Sequence, residues 1–132
     1  MAKPAQCLFA ALALFALASP VPASRPKLTP DQKVSRALTG LSAGEPERCI
    51  PVTPSPSSEV HGDVILYRVS RTLTWKNTTR GSCGGSDDIL VTRLWGNRLC
   101  KGDLIQTMDR TTGHFSGTCI LGEFVPYRRT AQ

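Results

Sequence analysis

The spacing of hydrophobic and polar positions changes twice along this chain. Residues 8–17 are an unbroken run of Leu, Phe and Ala, and residues 29–41 then place apolar side chains at helical spacing. From residue 59 onward, short apolar runs alternate with Gly, Asp, Asn and Ser. These three patterns predict, in order, an apolar leader, an amphipathic helix and a set of β-strands.

The apolar leader has the features of a signal peptide. Lys3 supplies a positive charge before the run, and the small residues Ala16, Ala18 and Ala23 fit the pattern at which signal peptides are cut. The run is ten residues long, whereas a membrane-spanning helix needs roughly 20. We therefore predict that residues 1–23 are a cleavable signal peptide, with cleavage after Ala23 favoured over cleavage after Ala18. The remaining chain is expected to be periplasmic or secreted.

Residues 24–48 form a polar segment with one regular pattern. Thr29 suits a helix N-cap, Pro30 suits the first helical position, and Val34 and Leu38 recur at helical spacing. The sequence predicts a short amphipathic helix here. At about twelve residues such a helix is marginal alone, so its apolar stripe either docks on the following domain or frays. We expect the segment to be dispensable for the fold of that domain.

Residues 49–127 predict one compact, mostly β domain, followed by a tail at residues 128–132. The irregular residues 51–58 near its start are rich in Pro, Ser and Thr. The predicted strands cover residues 64–69, 73–76, 89–95, 99–109, 114–120 and 123–127. The first two predict a hairpin, and the next two are expected to pair across a turn at Gly96 and Asn97, with a kink near Gly102. The last two are expected to pair across Leu121 and Gly122. This spacing indicates a small antiparallel sheet or a partly closed β-barrel, stapled by disulfides and carrying the short N-terminal helix.

Four cysteines belong to the predicted domain: Cys49, Cys83, Cys100 and Cys119. An even number in an exported chain predicts a disulfide framework, and three connectivities are possible. We favour Cys83–Cys100, which closes a loop around the central strand, together with Cys49–Cys119, which joins the start of the domain to its end. Because no Cys-x-x-Cys pair is present, a zinc knuckle or a thioredoxin-like site is not expected.

A positive net charge is the main feature of the composition. The chain has 16 basic and 10 acidic side chains, and removing residues 1–23 leaves 15 basic ones. This excess favours anionic neighbours, which for an exported protein are envelope polymers or lipid surfaces rather than nucleic acid; the same charge also fits a purely solubilising role. Arg68 and Arg93 lie in predicted strands near aromatic residues and are candidates for anion binding. Trp75 and Trp95 are expected in the core, as the largest apolar groups available to it.

Candidate catalytic residues are few. His61 and His114 lie in predicted turns without a carboxylate at motif spacing, and Asp103 and Asp109 are explained more simply as strand-end and turn residues. The glycine loop at residues 82–86 indicates a turn beside a disulfide rather than a phosphate loop. The sequence therefore predicts a protein that is not an enzyme and holds no cofactor or metal. A small hydrolase using Asp103 or His114 is an alternative, favoured if Asp103, Asp109 and His114 meet in one cleft.

Three segments carry a resemblance to a known family: Gly-Glu-Pro-Glu-Arg-Cys-Ile at residues 44–50, Leu-Cys-Lys-Gly-Asp at 99–103 and Cys-Ile-Leu-Gly-Glu-Phe at 119–124. In these segments the chain resembles a family of small, uncharacterised exported bacterial proteins with a four-cysteine frame. The resemblance covers nearly the whole chain after the leader. It implies export, the domain boundaries and the four-cysteine frame, and it implies no catalytic residue. The chain departs from the family pattern at residues 81–86, where other members have a Cys-Pro segment.

Together these observations predict a non-enzymatic exported β domain that binds an anionic component of the cell envelope. The alternative is an inhibitor or accessory protein for another exported protein, because small disulfide-stapled domains present rigid loops.

Overall fold

A computed structural model describes residues 24–130 of this chain. The predicted signal peptide, residues 1–23, lies outside the described residues, as do the last two residues of the predicted tail. The helix α1 covers Pro30–Ala37. The strands are β1 (Ser42–Ala43), β2 (Cys49–Pro51), β3 (Ser57–His61), β4 (Val64–Arg68), β5 (Leu73–Thr78), β6 (Arg80–Ser82), β7 (Ile89–Thr92), β8 (Arg98–Cys100), β9 (Leu104–Met108), β10 (Phe115–Ile120) and β11 (Phe124–Arg128).

Within residues 24–130 the strands form three antiparallel sheets. A five-stranded sheet has the order β1-β11-β5-β4-β3, a four-stranded sheet has the order β6-β10-β9-β7, and β2 pairs with β8. The predicted mostly β fold, with antiparallel sheets and one short helix in this part of the chain, is confirmed. The described strands form separate sheets and not a closed barrel.

The two larger sheets contribute side chains to one core. Ile65 and Phe124 enter it from the five-stranded sheet, and Ile105 and Cys119 enter it from the four-stranded sheet; each is at most 1% exposed. Trp75 lies in the same core, as the sequence predicts. Because successive side chains of a strand point to opposite faces, each large sheet has an inner face on this core and an outer face directed away from it.

The helix α1 covers the outer face of the five-stranded sheet. Thr29 caps the helix through a reciprocal capping box. Val34 and Leu38 are 8% and 9% exposed, and they pack against Val64 and Leu66 on β4. The apolar stripe of the predicted helix is therefore docked on the sheet rather than frayed.

The chain between α1 and residue 49 also joins the five-stranded sheet. β1 adds to β11, with Ala43 opposite Tyr127. Glu47 and Phe124 exchange two backbone hydrogen bonds, of 2.8 and 2.9 Å. The N-terminal segment thus shares hydrogen bonds and an apolar contact with the domain that follows it. These contacts argue against the expectation that the segment is dispensable for the fold.

Two of the three predicted strand pairings hold and the third does not. Residues 89–95 and 99–109 pair as β7 with β9, in which Val91 lies opposite Gln106. The hairpin of residues 64–69 and 73–76 is confirmed by the pairing of β4 with β5, in which Tyr67 lies opposite Trp75. The predicted pairing of the last two strands is wrong. β10 pairs with β6 and β9, whereas β11 pairs with β1 and β5. The last two strands therefore belong to different sheets.

The chain crosses from one large sheet to the other at Gly122. The buried Asn77 side chain donates to the Gly122 carbonyl and accepts from the Gly122 N–H, both at 2.9 Å. A Cβ atom at position 122 would collide with the carbonyl of Thr78. The crossing therefore requires glycine, and the residues expected to form a hairpin turn form a bridge between sheets.

The disulfides join Cys49 to Cys100 and Cys83 to Cys119. The predicted pairs, Cys83–Cys100 and Cys49–Cys119, are therefore wrong. Cys49 lies directly opposite Cys100 in the pair of β2 and β8, with Cα atoms 4.0 Å apart. Cys83 follows β6, which pairs with β10, the strand that holds Cys119. Strand pairing decides the connectivity, and loop lengths along the chain do not show it.

The three segments that carry the family resemblance meet in the structure. Besides the Cys49–Cys100 disulfide, the Lys101 N–H donates to the Arg48 carbonyl at 2.6 Å, and the Gly102 N–H donates to the Leu121 carbonyl at 2.9 Å. The shared segments thus form one hydrogen-bonded junction, and their residue types serve the fold.

Candidate functional site: an uncovered sheet face

The outer face of the four-stranded sheet is exposed and largely apolar. On β9, Ile105 and Thr107 are buried, whereas Leu104 and Met108 are 51% and 38% exposed. On β10, Phe115 is 62% exposed. Within residues 24–130 no helix or strand packs on this side of the sheet. The open face, as we name it, consists of Arg80, Ser82, Ile89, Val91, Arg93, Leu104, Gln106, Met108, Phe115, Thr118 and Ile120.

Strand register arranges the open face in rows, because residues directly opposite each other in antiparallel strands share a face. In the first row, Ile120 lies between Arg80 on β6 and Leu104 on β9. Arg93 follows the last residue of β7 and lines the same hollow as Leu104. This row therefore has two apolar side chains between two cationic ones.

The remaining rows are one polar stripe and one apolar stripe. The second row consists of Ser82, Thr118, Gln106 and Val91. The third row consists of Phe115, Met108 and Ile89. All three members of the third row are exposed. The open face thus presents two apolar stripes separated by side chains that can form hydrogen bonds.

Trp95 extends the open face beyond the end of β7. Its side chain is 92% exposed, so the expectation that it lies in the core is wrong. It lines a hollow of about 250 Å³ together with Arg93 and Leu104. Because β7 ends at Thr92, Trp95 stands in a bend where strand alternation no longer directs its side chain toward the core.

The electrostatic character of the open face comes from its arginines. Arg80 and Arg93 form no ion pair within the described part of the chain. Asp103 lines the same hollow as Arg93, but its Oδ2 accepts a 2.8 Å hydrogen bond from the Cys100 N–H. That carboxylate therefore closes the turn after β8 and forms no ion pair with Arg93.

Arg68, the other residue predicted to bind anions, lies on the opposite side of the molecule. It stands on the outer face of the five-stranded sheet and lines a cleft of about 280 Å³ together with Arg71 and Arg129. Its Nη2 atom is 3.9 Å from Oε1 of Glu59. The structure therefore does not bring Arg68 and Arg93 together, and each belongs to a separate basic surface.

The alternative catalytic residues do not form one cluster. The Asp109 N–H donates to the His114 carbonyl at 2.8 Å in the turn between β9 and β10, whereas Asp103 precedes the opposite end of β9. Hydrogen bonds from Thr112 and Thr111 lower the pKa of the Asp109 carboxyl, which closes this turn. Asp103, Asp109 and His114 do not meet in one cleft among the described residues.

The glycine loop beside Cys83 is occupied by a carboxylate of the chain itself. The Gly85 N–H donates to Oδ2 of Asp88 at 2.8 Å, and the Ser116 hydroxyl donates to the same oxygen at 2.7 Å. The Asp88 carboxylate therefore occupies the position that an external anion would need in this loop.

The disulfides of the described residues indicate the compartment of the chain. No helix among residues 24–130 is long and apolar enough to span a membrane. The two disulfides are typical of an oxidising compartment outside the cytoplasm. Comparison of the chain with protein-family models, with curated proteins and with solved structures found no match. The family resemblance of the sequence therefore stays a prediction.

Proposed function

We propose that this protein is a periplasmic or secreted binding protein that attaches to an anionic lipid surface of the cell envelope through the open face and Trp95. One observation carries the proposal: Trp95 is 92% exposed and stands beside an apolar row with an arginine at each end. The function requires contact and no turnover, so it assigns no catalytic residue and no cofactor.

The apolar side chains of the open face would supply most of the binding free energy. Full burial of a large apolar side chain such as Phe is worth about 1.5–3 kcal/mol. Trp95 and Phe115 are 92% and 62% exposed in the free protein. A surface that takes up both side chains therefore gains a large part of this free energy, and Leu104 and Met108 add to the same contact.

Arg80 and Arg93 would select an anionic surface. A basic side chain at an anionic membrane surface contributes about 1 kcal/mol. Arginine can lay its apolar stem along the lipid while its guanidinium group binds a headgroup phosphate. The excess of 15 basic over 10 acidic side chains beyond residue 23 acts in the same direction.

The apolar rows favour a lipid surface over a polar polymer. An acidic polysaccharide would leave the exposed side chains of Leu104, Met108 and Phe115 in contact with water, whereas the interfacial zone of a bilayer accommodates tryptophan and aliphatic groups together. A partner protein is the competing occupant, since exposed Trp, Phe, Met and Arg are also typical of protein interfaces. That occupant would make the protein an inhibitor or accessory protein.

Sedimentation with lipid vesicles tests the proposal. The protein is purified after export, and its first residue, expected to be Ser24, is checked by intact mass; retention of Met1 would contradict the signal-peptide prediction. Vesicles contain either phosphatidylcholine alone or phosphatidylcholine with phosphatidylglycerol. We expect binding to the anionic vesicles to be at least about tenfold tighter than binding to the neutral ones. Trp95→Ala should weaken it at least about tenfold and Arg93→Ala about fivefold.

Arg68→Ala is the matched control, because it removes the same charge from the opposite side of the molecule. It should change vesicle binding less than about twofold. Raising the salt concentration from about 0.1 to 1 M shortens the screening length from about 10 to 3 Å, so it should erase the effect of Arg93→Ala and preserve that of Trp95→Ala. Equal losses for Arg68→Ala and Arg93→Ala would contradict the oriented contact. Failure of the unmodified protein to bind anionic vesicles would overturn the lipid proposal in favour of a protein partner.

A further inference from the structure

A second cavity opens between the two large sheets, on the other side of β7 from the open face. It lies between the edge strands β3 and β7 and has a volume of about 260 Å³. Ser58 on β3 and Tyr67 on β4 form one wall, and Leu90 on β7 forms the other. Leu94 and Leu99 extend the apolar lining. We name this cavity the edge cleft.

Tyr67, which lines the edge cleft, carries a buried hydroxyl group with no partner among residues 24–130. Tyr67 is 96% buried, and its hydroxyl oxygen forms no hydrogen bond with the described residues. Buried polar groups almost always have a partner, because leaving one unpaired costs about 1–3 kcal/mol. Burial and the nearby Asp103 carboxylate raise the pKa of Tyr67 far above its ordinary value. The hydroxyl therefore stays protonated and offers a hydrogen-bond donor.

The lining of the edge cleft restricts what can bind there. None of its side chains is charged, so an ion entering the cleft would lose hydration without gaining a counter-charge. The negative charge of Asp103 near Tyr67 further disfavours an anion. The volume lies just below the roughly 300–1,000 Å³ of sites for drug-sized ligands. The occupant is therefore small, neutral and mainly apolar.

We propose that the edge cleft binds a short neutral hydrocarbon chain that carries one hydrogen-bond acceptor, such as an ester carbonyl. The chain packs against Leu90, Leu94 and Leu99, and the acceptor receives the hydrogen bond from the Tyr67 hydroxyl. This site is independent of the open face, because it uses the inward side chains of β7 whereas the open face uses the outward ones.

Methyl octanoate is a suitable probe, and octanoate tests the requirement for a neutral ligand. Binding is followed by two-dimensional NMR titration of the protein purified after export. Methyl octanoate should shift the amide signals of Tyr67, Leu90 and Thr92 with one common dissociation constant. Octanoate should bind at least about fivefold more weakly, because its charge must be desolvated in the cleft. Equal or tighter binding of octanoate, or no binding of methyl octanoate, would overturn the proposal.

Three substitutions locate the site. Tyr67→Phe should weaken methyl octanoate binding about fivefold, the equivalent of one neutral hydrogen bond. Ser58→Phe should abolish binding by filling the cleft, whereas the control Ser57→Phe places the same ring on the opposite face of β3 and should leave binding unchanged. Unchanged affinity in Tyr67→Phe, or equal effects at positions 57 and 58, would contradict the assignment. Trp95→Ala should leave methyl octanoate binding intact, so failure of this site and failure of the lipid-surface proposal are distinguishable.

Discussion

The two large sheets of this protein share one core, but only one of them has a covered outer face. On the five-stranded sheet, α1 covers the outer face, and Val64 and Leu66 are 7% and 1% exposed. On the four-stranded sheet, the corresponding positions Leu104 and Phe115 are 51% and 62% exposed. Both outer faces carry apolar side chains, so burial depends on what lies above them. Contiguous apolar surface that the described chain leaves uncovered is typical of an interaction site.

The four-stranded sheet, whose outer face is uncovered, is crosslinked by the Cys83–Cys119 disulfide. The five-stranded sheet is covered by α1 instead. Removing the Cys83–Cys119 disulfide by a double substitution to Ala is therefore expected to lower the free energy of unfolding more than the loss of one packed leucine does. The bridge spans 36 residues, and the chain-entropy relation gives about 4 kcal/mol for such a loop. Denaturant unfolding measures the loss, and the Cys49–Cys100 double substitution, which opens 51 residues, should lose a similar amount. A loss below about 1 kcal/mol at Cys83 and Cys119 would show that the uncovered sheet does not need its staple.

The second prediction compares the two outer faces directly. Leu38→Ala removes a side chain packed between helix and sheet and should lower the free energy of unfolding by about 2 kcal/mol, at the low end for buried leucines. Phe115→Ala removes a larger but exposed side chain and should change it by less than about 0.5 kcal/mol. Both values come from the same denaturant titration. Equal losses would mean that Phe115 is covered in solution, which would contradict the open face.

Local sequence patterns predict the elements that depend on neighbouring residues, but not the pairing of distant strands. The cap and apolar stripe of α1 and the hairpin of β4 and β5 depend on neighbouring residues, and both are present in the structure. The disulfide connectivity and the partner of β11 depend on which distant strands pair, and these predictions are wrong. No pattern within a single strand carries that information.

The alternation pattern does not indicate the open face, for a similar reason. In Leu104–Met108 apolar residues occupy both sides of the alternation, so the sequence does not show whether Ile105 or Leu104 faces the core. The number of apolar residues in this strand is the one indication of the open face, because a strand with one solvent-exposed face needs fewer of them. Trp75 and Trp95 likewise each stand near a leucine, Leu73 and Leu94. Trp75 is buried and Trp95 is exposed because β7 ends before it reaches Trp95.

The smallest expected effect is a local response of the uncovered sheet to acid. The folded pKa of Asp109 is lowered from its ordinary value of 3.8 by hydrogen bonds from Thr112 and Thr111. The contribution of these bonds is therefore fully present above pH 3.8 and is lost as the pH falls through the lower folded pKa. In an NMR titration, the amide signals of Thr111 and Thr112 should shift with a midpoint below 3.8, and Asp109→Asn should remove these shifts. A midpoint at or above 3.8 would contradict the turn geometry.

The fluorescence of Trp95 tests most directly whether the open face is a binding surface. The chain has two tryptophans, so Trp75→Phe leaves Trp95 as the reporter, and the matched Trp95→Phe variant leaves only the buried Trp75. On addition of phosphatidylglycerol-containing vesicles, the emission of Trp95 should shift to shorter wavelength and become protected from acrylamide, while that of Trp75 should not change. Vesicle binding in which Trp95 keeps its aqueous emission and full quenching would contradict the account.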